Sequence, residues 1–343
     1  MGSDDWLDQV KEDIFDPERK ICDAHHHLFH YPNVDPPVKY MLEDLLADIS
    51  SGHKVVSTVY AECGSMYRTQ GPEALRPIGE TEFVLGVAAM CDSEIYVNIE
   101  SNLLTRVALG TVGFVDLTKG TAVGDTLDAH LAVTNRFKGI RHVTAWDAST
   151  EIRESHTHPP RYLLSDRDFR QGFAELGARG LSFDAWLYHP QIPELTDLAQ
   201  AFPETCIVID HFGGPVGIGP YKKERSEILA QWKLDVAELS KNENVVVKLG
   251  GLVMPVNGFD LHKGKLPPSS DTLAELTRDY YLHMIDCFGP QRCMFESNFP
   301  MDRISCSYKI LWNSFKKLVA DFSESDKNAL FHDTANRVYR LDQ

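Results

Sequence analysis

The sequence predicts an α/β protein, most simply a closed (β/α)8 barrel in a single domain. Its 343 residues are a normal length for such a barrel with insertions. Short, nearly continuous apolar runs alternate with longer segments of helical periodicity, a pattern typical of parallel strands buried on both faces. No linker, repeat or low-complexity tract divides the chain. We therefore expect residues 1–20 to form an acidic N-terminal leader and residues 21–343 to form the barrel.

The predicted strands are rich in β-branched and apolar residues, and several end at glycine or proline. They cover 21–29, 54–63, 110–117, 137–144, 181–189, 205–212, 244–250 and 292–299. A further apolar run, 82–89, is interpreted as accessory. Helical periodicity predicts helices at 40–51, 125–135, 165–178, 193–202, 226–240, 272–288, 308–322 and 325–341. We expect Ser165 to cap the third of these helices, with Asp166 and Asp168 in its first turn.

Composition and charge narrow the classes of partner. There are 34 lysines and arginines against 50 aspartates and glutamates, a formal net charge of -16. Such a surface repels phosphate backbones and anionic lipid, so we expect no nucleic-acid or membrane partner but a small-molecule substrate. The seven cysteines are scattered without the spacing of a disulfide framework, and the leader lacks the apolar stretch of a signal peptide. These features predict reduced thiols and a cytoplasmic location.

Three consecutive histidines stand at the end of the first predicted strand. Because side chains alternate along a strand, Asp23, His25 and His27 are expected on one face and His26 on the other. Two imidazoles would then project side by side from the carboxyl end of the strand. They could bind a metal ion or a charged substrate.

Polar residues also follow the other predicted strands, and in a barrel the carboxyl ends of the strands meet on one rim, where catalytic groups lie. In chain order this set is His25, His27, Glu62, Asp116, Arg141, His142, Tyr188, His189, Asp210, His211, Lys248, Glu296 and Asn298. His211, between an apolar strand and a glycine turn, is interpreted as a metal ligand or substrate contact. For His189, a role in the site and a purely structural role are equally compatible with the sequence.

Other strand residues have structural interpretations. Asp210 and His142 neighbour the residues expected to point inward, so they should face the helices, and Asp184 should make a structural hydrogen bond. Arg141 and Lys248 could bind a substrate carboxylate, or they could pair with acidic residues such as Glu62 and Glu296. Two irregular segments, 146–160 and 252–270, are candidate lids or plain exposed loops.

Several of these stretches together resemble one family, the amidohydrolase-related family of the amidohydrolase superfamily. The similarity extends from about Asp23 to Tyr339. The stretches that carry it are DAHHHLF, YAECGSMY, VGFVDL, FKGIRHVTAWD, FDAWLYHPQIPEL, IDHFGGP, VVKLGG and MFESNFPMD. The resemblance implies a distorted TIM barrel and relatives that include lactonases and metal-dependent decarboxylases of aromatic or conjugated acids. Such relatives also suggest a homodimer.

The resemblance implies roles for individual residues. His25, His27 and His211 would be ligands of one divalent metal ion, with zinc the first candidate, or substrate contacts as in metal-free lactonases. Arg141 and Lys248 would occupy substrate-binding positions, with Tyr188 and Glu62 at the same rim.

One position departs from the family pattern. Where the family has an aspartate after the last strand, which ligates the metal and accepts a proton from water, this chain has Asn298, and an amide does neither well. Glu296 lies two residues earlier and faces the same way, and Asp302 lies just beyond. Either carboxylate could act as the base, and Glu62 is a third candidate.

The resulting hypothesis is a metal-dependent hydrolase that opens an ester or lactone in a small carboxylated substrate. Glu296, Asn298, Asp302 and His189 are the candidate catalytic residues. The alternatives are a metal-free lactonase, a metal-dependent decarboxylase, and a barrel that binds a ligand without turning it over.

Overall fold

The computed structural model describes residues 2–35, 37–93, 95–96, 104–153 and 155–342. Its strands are β1 (Lys20–His26), β2 (Phe29–Tyr31), β3 (Val38–Tyr40), β4 (Lys54–Ala61), β5 (Arg106–Gly113), β6 (Phe137–Ile140), β7 (Ser182–Ala185), β8 (Ile207–Ile209), β9 (Val245–Leu249) and β10 (Cys293–Phe295). Eight of them form one parallel sheet in the order β1-β4-β5-β6-β7-β8-β9-β10, and β2 pairs antiparallel with β3 outside it. The predicted eight-stranded parallel barrel is confirmed.

The barrel closes between its first and last strands. Just beyond β10, Phe299 forms a parallel bridge with His26, and its carbonyl accepts the His27 N–H at 2.8 Å. The Asn298 N–H donates to the His25 carbonyl at 3.0 Å, and the Ser297 N–H donates to Asp23 Oδ1 at 2.8 Å. These bonds bring the first and last strand ends together, and with them the residues of both ends.

The helices surround the sheet. They are α1 (Asp4–Leu7), α2 (Leu42–Ile49), α3 (Ile78–Asp92), α4 (Val123–Val133), α5 (Arg167–Ala178), α6 (Ile192–Ala201), α7 (Arg225–Leu239), α8 (Ser270–Phe288), α9 (Tyr308–Leu318), α10 (Glu324–Asn328) and α11 (Thr334–Val338), with a π-helical turn at Ala329–Asp333. The accessory run 82–89 is part of α3. None of the helices within the described ranges is long and apolar enough to cross a membrane.

Several predicted boundaries are wrong by a few residues. The third barrel strand, β5, lies four residues earlier than predicted, because Asp116 leaves the sheet and accepts the Thr118 N–H at 3.1 Å at the start of a 3-10 turn. Asp166, not Ser165, caps α5, and its Oδ1 accepts the Phe169 N–H at 2.9 Å. The apolar residues after several strands belong to buried loops above the barrel, so periodicity alone extended the predicted strands too far.

Inside the barrel, the end opposite the site is filled by apolar side chains from alternate positions of the strands. Val59, Val112, Val208, Val246 and Met294 form this layer and pack against Tyr339, which follows α11. The C-terminal segment therefore closes the floor of the barrel.

Residues of the segment 2–20 pack against the C-terminal half of the chain. Arg19 pairs with Glu324 at 2.7 Å, and the Glu12 carboxylate accepts the Ser270 N–H at 2.8 Å. All seven cysteines lie within the described residues and are free thiols.

Candidate active site

Two imidazoles meet at the end of β1. The Nε2 atoms of His25 and His27 are 3.1 Å apart and their rings are nearly perpendicular. His26 points away from them, and its Nε2 lies 2.8 Å from the Thr58 hydroxyl. Asp23 does not share the face of His25, because the register of β1 against β4 shifts between Asp23 and His26. Its carboxylate instead accepts from Ser297 and from the Tyr308 hydroxyl of α9, at 3.0 Å for the latter.

The tautomer of His27 follows from its partner. Nδ1 of His27 lies 2.8 Å from the Ala61 carbonyl, which can only accept, so Nδ1 carries the proton and Nε2 keeps its lone pair. Burial lowers the pKa of both His25 and His27 well below the ordinary value; Lys248 lowers that of His25 further, and Arg141 that of His27. Both rings are therefore neutral, the form in which imidazole binds metals.

His211 reaches the same point from β8. Its φ is 51° and that of Phe212 is 61°, a left-handed turn that non-glycine residues rarely adopt and that clusters at functional sites. The turn brings the His211 ring centroid to 4.7 Å from that of His25. Gly251 makes the approach possible, because a Cβ at that position would collide with the His211 imidazole.

Glu296, just after β10, joins the two imidazoles. Its Oε1 lies 2.6 Å from His211 Nδ1, and its Oε2 lies 3.0 Å from His25 Nδ1. Oε2 makes no hydrogen bond to any residue of the described part of the chain. Burial lowers the pKa of His211, but Glu296 outweighs burial and raises it above the ordinary value. One ligand atom each from His25, His211 and Glu296 fits within 4.8 Å, so these three residues could hold a metal ion.

Arg141 is held from two sides. Its Nε donates to Glu62 Oε1 at 2.8 Å, and its NH2 donates to the Glu62 carbonyl. NH1 lies 3.2 Å from His25 Nε2 and 3.5 Å from Asp210 Oδ2. Burial would raise the pKa of Glu62, but Arg141 and His156 outweigh it and lower the pKa to about 2. Glu62 is therefore a permanent counter-ion and does not suit the role of base.

Lys248 is wholly buried below His25. Its Nζ lies 2.6 Å from Asp184 Oδ2, 3.5 Å from Asp210 Oδ1 and 3.2 Å from His25 Nδ1. The Tyr339 hydroxyl donates to the same Asp184 oxygen at 2.7 Å, so the structural interpretation of Asp184 agrees with these contacts. His142 also makes a structural contact, since its Nδ1 accepts the Leu117 N–H at 3.2 Å.

The orientation predicted for Asp210 is wrong. Val208 belongs to the apolar layer inside the barrel, and alternation along β8 therefore points Asp210 inward as well. His211 enters the site only because the backbone turns after Asp210. The prediction took His211 as the inward residue of a straight strand and so placed Asp210 on the wrong face.

Asn298 and Asp302 form a pair beside Glu296. Asn298 also has a left-handed backbone, with φ 54°, and its Nδ2 donates to Asp302 Oδ1 at 3.1 Å. Burial raises the pKa of Asp302 to about 8. Asn298 Oδ1 and Asp302 Oδ2 are buried without a hydrogen-bond partner among the described residues.

His189 and Tyr188 lie elsewhere. Nδ1 of His189 accepts the Val216 N–H at 3.2 Å, and the Tyr188 hydroxyl donates to the Arg153 carbonyl at 2.8 Å. Tyr188 packs in a separate apolar cluster with Val216. As far as the chain is described, neither residue makes a hydrogen bond to the three imidazoles of the site.

Two residues that lie at the site were not identified from the sequence. The Trp186 ring contacts the His211 ring edge-on, with 4.8 Å between the ring centroids. Trp186 lies two residues before Tyr188 at the end of the same strand, and this spacing could have indicated it. His156, whose side chain is 45% exposed, has Nε2 3.4 Å from Glu62 Oε2. It belongs to the candidate lid 146–160, and nothing in the local pattern distinguishes it from His158.

The comparison with known families agrees with this arrangement, since the amidohydrolase model matches residues 22–341. The chain belongs to the amidohydrolase family. It is a hydrolase built on that family's parallel barrel.

Individual relatives share much of the chain. Uncharacterized protein y4mH of Sinorhizobium fredii is 33% identical over 339 residues, 94% of this chain and 98% of that protein. L-fucono-1,5-lactonase of Burkholderia multivorans is 31% identical over 211 residues, 60% of this chain and 64% of that enzyme. A crystal structure of a Burkholderia multivorans amidohydrolase with bound zinc aligns with a TM-score of 0.69 at 23% identity, covering 94% of this chain and 99% of that one.

Proposed function

We propose that this amidohydrolase is a metal-dependent lactonase that opens the ring of a small lactone. The observation that carries the proposal is the meeting of His25, His27, His211 and Glu296 at one buried point. The partial identity to a lactonase supports the choice of a lactone as the ester.

The donor set fits a divalent cation. Four fully buried carboxylates, those of Glu62, Asp184, Asp210 and Glu296, surround two buried cations, Arg141 and Lys248. When all three imidazoles are neutral, as metal ligands are, the group carries an excess of two negative charges. Asp210 pairs with Arg141 and Lys248 at 3.5 Å each, and its oxygens and Oε2 of Glu296 have no hydrogen-bond partner in the described ranges. The excess of buried negative charge is costly, and a divalent ion beside the imidazoles would balance it.

His25, His27 and His211 are proposed to hold the ion. The Nδ1–H groups of His27 and His211 are held by the Ala61 carbonyl and by Glu296, which leaves Nε2 of each ring as the ligand atom. Imidazole suits zinc, and a related structure contains zinc. When bound, such an ion supplies Lewis acidity that polarises the lactone carbonyl and makes a nearby water more acidic.

Two carboxyl groups of the chain are proposed to carry out the two proton transfers of the reaction. Glu296 Oε2 has no hydrogen-bond donor and faces the imidazoles, so it is proposed to accept the proton of the attacking water. Asp302, with a pKa raised to about 8, is protonated at neutral pH and is proposed to donate to the leaving alkoxide. Asn298 holds one oxygen of Asp302 by its amide and leaves the other free.

The test combines elemental mass spectrometry of untagged protein with turnover of a lactone panel. About one zinc per chain, and lactone hydrolysis that chelation abolishes and zinc restores, is the expected result. Full activity of the metal-free protein would instead show a metal-free lactonase, with the imidazoles as substrate contacts. Release of CO2 from aromatic acids without lactone hydrolysis would show a decarboxylase.

A further inference from the structure

The two cations inside the barrel restrict the chemistry of the substrate. A lysine or arginine that binds a substrate carboxylate needs donors that are reachable and not already committed to the protein. Arg141 is 5% exposed, and Lys248 is not exposed at all. Whether their donors are already committed therefore decides whether these two side chains can bind an anionic substrate.

The donors of Arg141 are committed. Nε and NH2 both donate to Glu62, and NH1 faces His25 and Asp210 at 3.2 and 3.5 Å. The planar guanidinium thus spans Glu62 on one side and Asp210 on the other. A substrate carboxylate could reach it only by displacing one of these two buried carboxylates, which would leave that carboxylate without a counter-ion.

The donors of Lys248 are committed as well. Asp184, Asp210 and His25 surround its ammonium group, and the face of the Tyr339 ring lies 5.3 Å from Nζ. All of these groups lie inside the barrel. Lys248 is therefore an internal counter-ion between the floor of the barrel and His25.

One acceptor at the site remains without a partner. Asn298 Oδ1 is buried and has no hydrogen-bond partner among the residues described, and Glu62 Oε2 faces the exposed His156 at 3.4 Å. An acceptor requires a donor, and a hydroxyl group donates whereas a carboxylate cannot. Trp186, partly buried beside His211, adds an aromatic ring of the kind that packs against a sugar ring.

We propose that the substrate is an uncharged, hydroxylated lactone, and that Arg141 and Lys248 position Asp210, Glu62 and His25 rather than bind substrate. This inference rests on the proposed lactonase function and names its substrate class. It replaces the carboxylated substrate expected from the sequence.

The same charges act on the product. In hydrolysis the water oxygen bonds to the carbonyl carbon, the ring C–O bond breaks, the alkoxide takes a proton, and the product is a hydroxy acid whose carboxyl group ionises. The new carboxylate arises beside Glu296 and Asp210, which have the same sign of charge, and beside the proposed metal ion, which has the opposite sign.

The test measures binding separately from turnover. Stereoisomeric aldono-1,5-lactams, which the enzyme cannot readily open, are compared by calorimetry with the matching lactams that carry a carboxylate in place of the terminal CH2OH. We expect each uncharged lactam that binds to do so at least about tenfold more tightly than its anionic partner. Equal or tighter binding of the anionic lactams overturns the inference, and so does the absence of binding by every uncharged lactam.

Turnover of the corresponding lactones tests the proposed function itself. If uncharged lactams bind but no lactone is opened, the substrate class stands and the lactonase proposal fails. The two results are therefore distinguishable in the same set of compounds.

A paired variant tests the role of Arg141. Arg141→Met combined with Glu62→Gln removes both members of the ion pair and keeps the net charge. For a counter-ion, the ratio of the two lactam affinities should change less than about threefold. A loss of at least about a hundredfold in affinity for the anionic lactam alone would show that Arg141 binds carboxylate. Arg141→Lys provides a second variant if the paired one does not fold.

Discussion

Glu296 Oε1 lies 2.6 Å from His211 Nδ1, although the two residues follow strands two places apart around the barrel. The other oxygen, Oε2, lies 3.0 Å from His25 Nδ1. One carboxylate thus fixes the orientation of the His211 imidazole and lies next to the imidazole of His25, which comes from a different strand. Glu296 is also one of the carboxylates proposed from the sequence as substitutes for the family's aspartate, which is replaced here by Asn298.

Glu296→Gln tests the role of this carboxylate. The amide retains the size of the side chain but cannot accept the proton of water, so we expect kcat to fall by about 10²–10⁴ while metal content stays near that of the wild type. Steady-state kinetics and elemental mass spectrometry measure the two quantities. Glu238→Gln, on the exposed face of α7, is the matched control. Loss of metal together with activity would make Glu296 a ligand instead of a base.

Removal of a single imidazole should release the metal. We expect His27→Ala and His211→Ala to contain well under one metal ion per chain, and added zinc to raise their melting temperature less than that of chelated wild type. Differential scanning calorimetry with and without zinc measures the effect. His30→Ala changes an exposed histidine three residues from His27 and should behave as wild type. Unchanged metal content in both site variants would contradict the proposed ligand set.

Tyr339→Phe should destabilise the floor of the barrel. The change removes the hydroxyl that donates to Asp184 at 2.7 Å and leaves that buried carboxylate with one partner fewer. We expect the free energy of unfolding to fall by roughly 1–2 kcal/mol, measured by urea denaturation. Tyr162→Phe changes a tyrosine that is 54% exposed and should stay within about 0.5 kcal/mol of wild type. Equal stability of the two variants would show that the hydrogen bond to Asp184 contributes little.

Glu80 should make stability depend on pH. Its Oε1 accepts from the Tyr60 hydroxyl and from the backbone N–H groups of Cys63 and Ser65, and burial together with Glu62 raises its pKa from 4.5 to about 7. Because the folded protein binds this proton more tightly than the unfolded chain, this residue's contribution to the free energy of unfolding falls as the pH rises from 4.5 to about 7. Glu80→Gln cannot titrate and should show a smaller fall.

Urea denaturation of wild type and Glu80→Gln across this pH range measures the difference. Parallel pH profiles would mean that Glu80 keeps an ordinary pKa in the folded protein.

The sequence by itself determined the fold and indicated the strand ends at which the candidate site lies. Local periodicity identified the eight barrel strands, because each strand buries both faces and its composition records that burial. The adjacent histidines His25 and His27 were recognisable because they end a strand. The two-residue period also indicated Glu296 as a candidate substitute for the aspartate missing at Asn298.

Only the tertiary structure decided what these side chains contact. A register shift moved Asp23 away from His25, and a left-handed turn brought His211 inward together with Asp210. His189 lies in the same segment as Trp186 but contacts a separate loop. Arg141 and Lys248 have partners from distant parts of the chain. Periodicity depends on neighbours within a few residues, whereas pairing, burial and charge depend on which strand ends meet when the barrel closes.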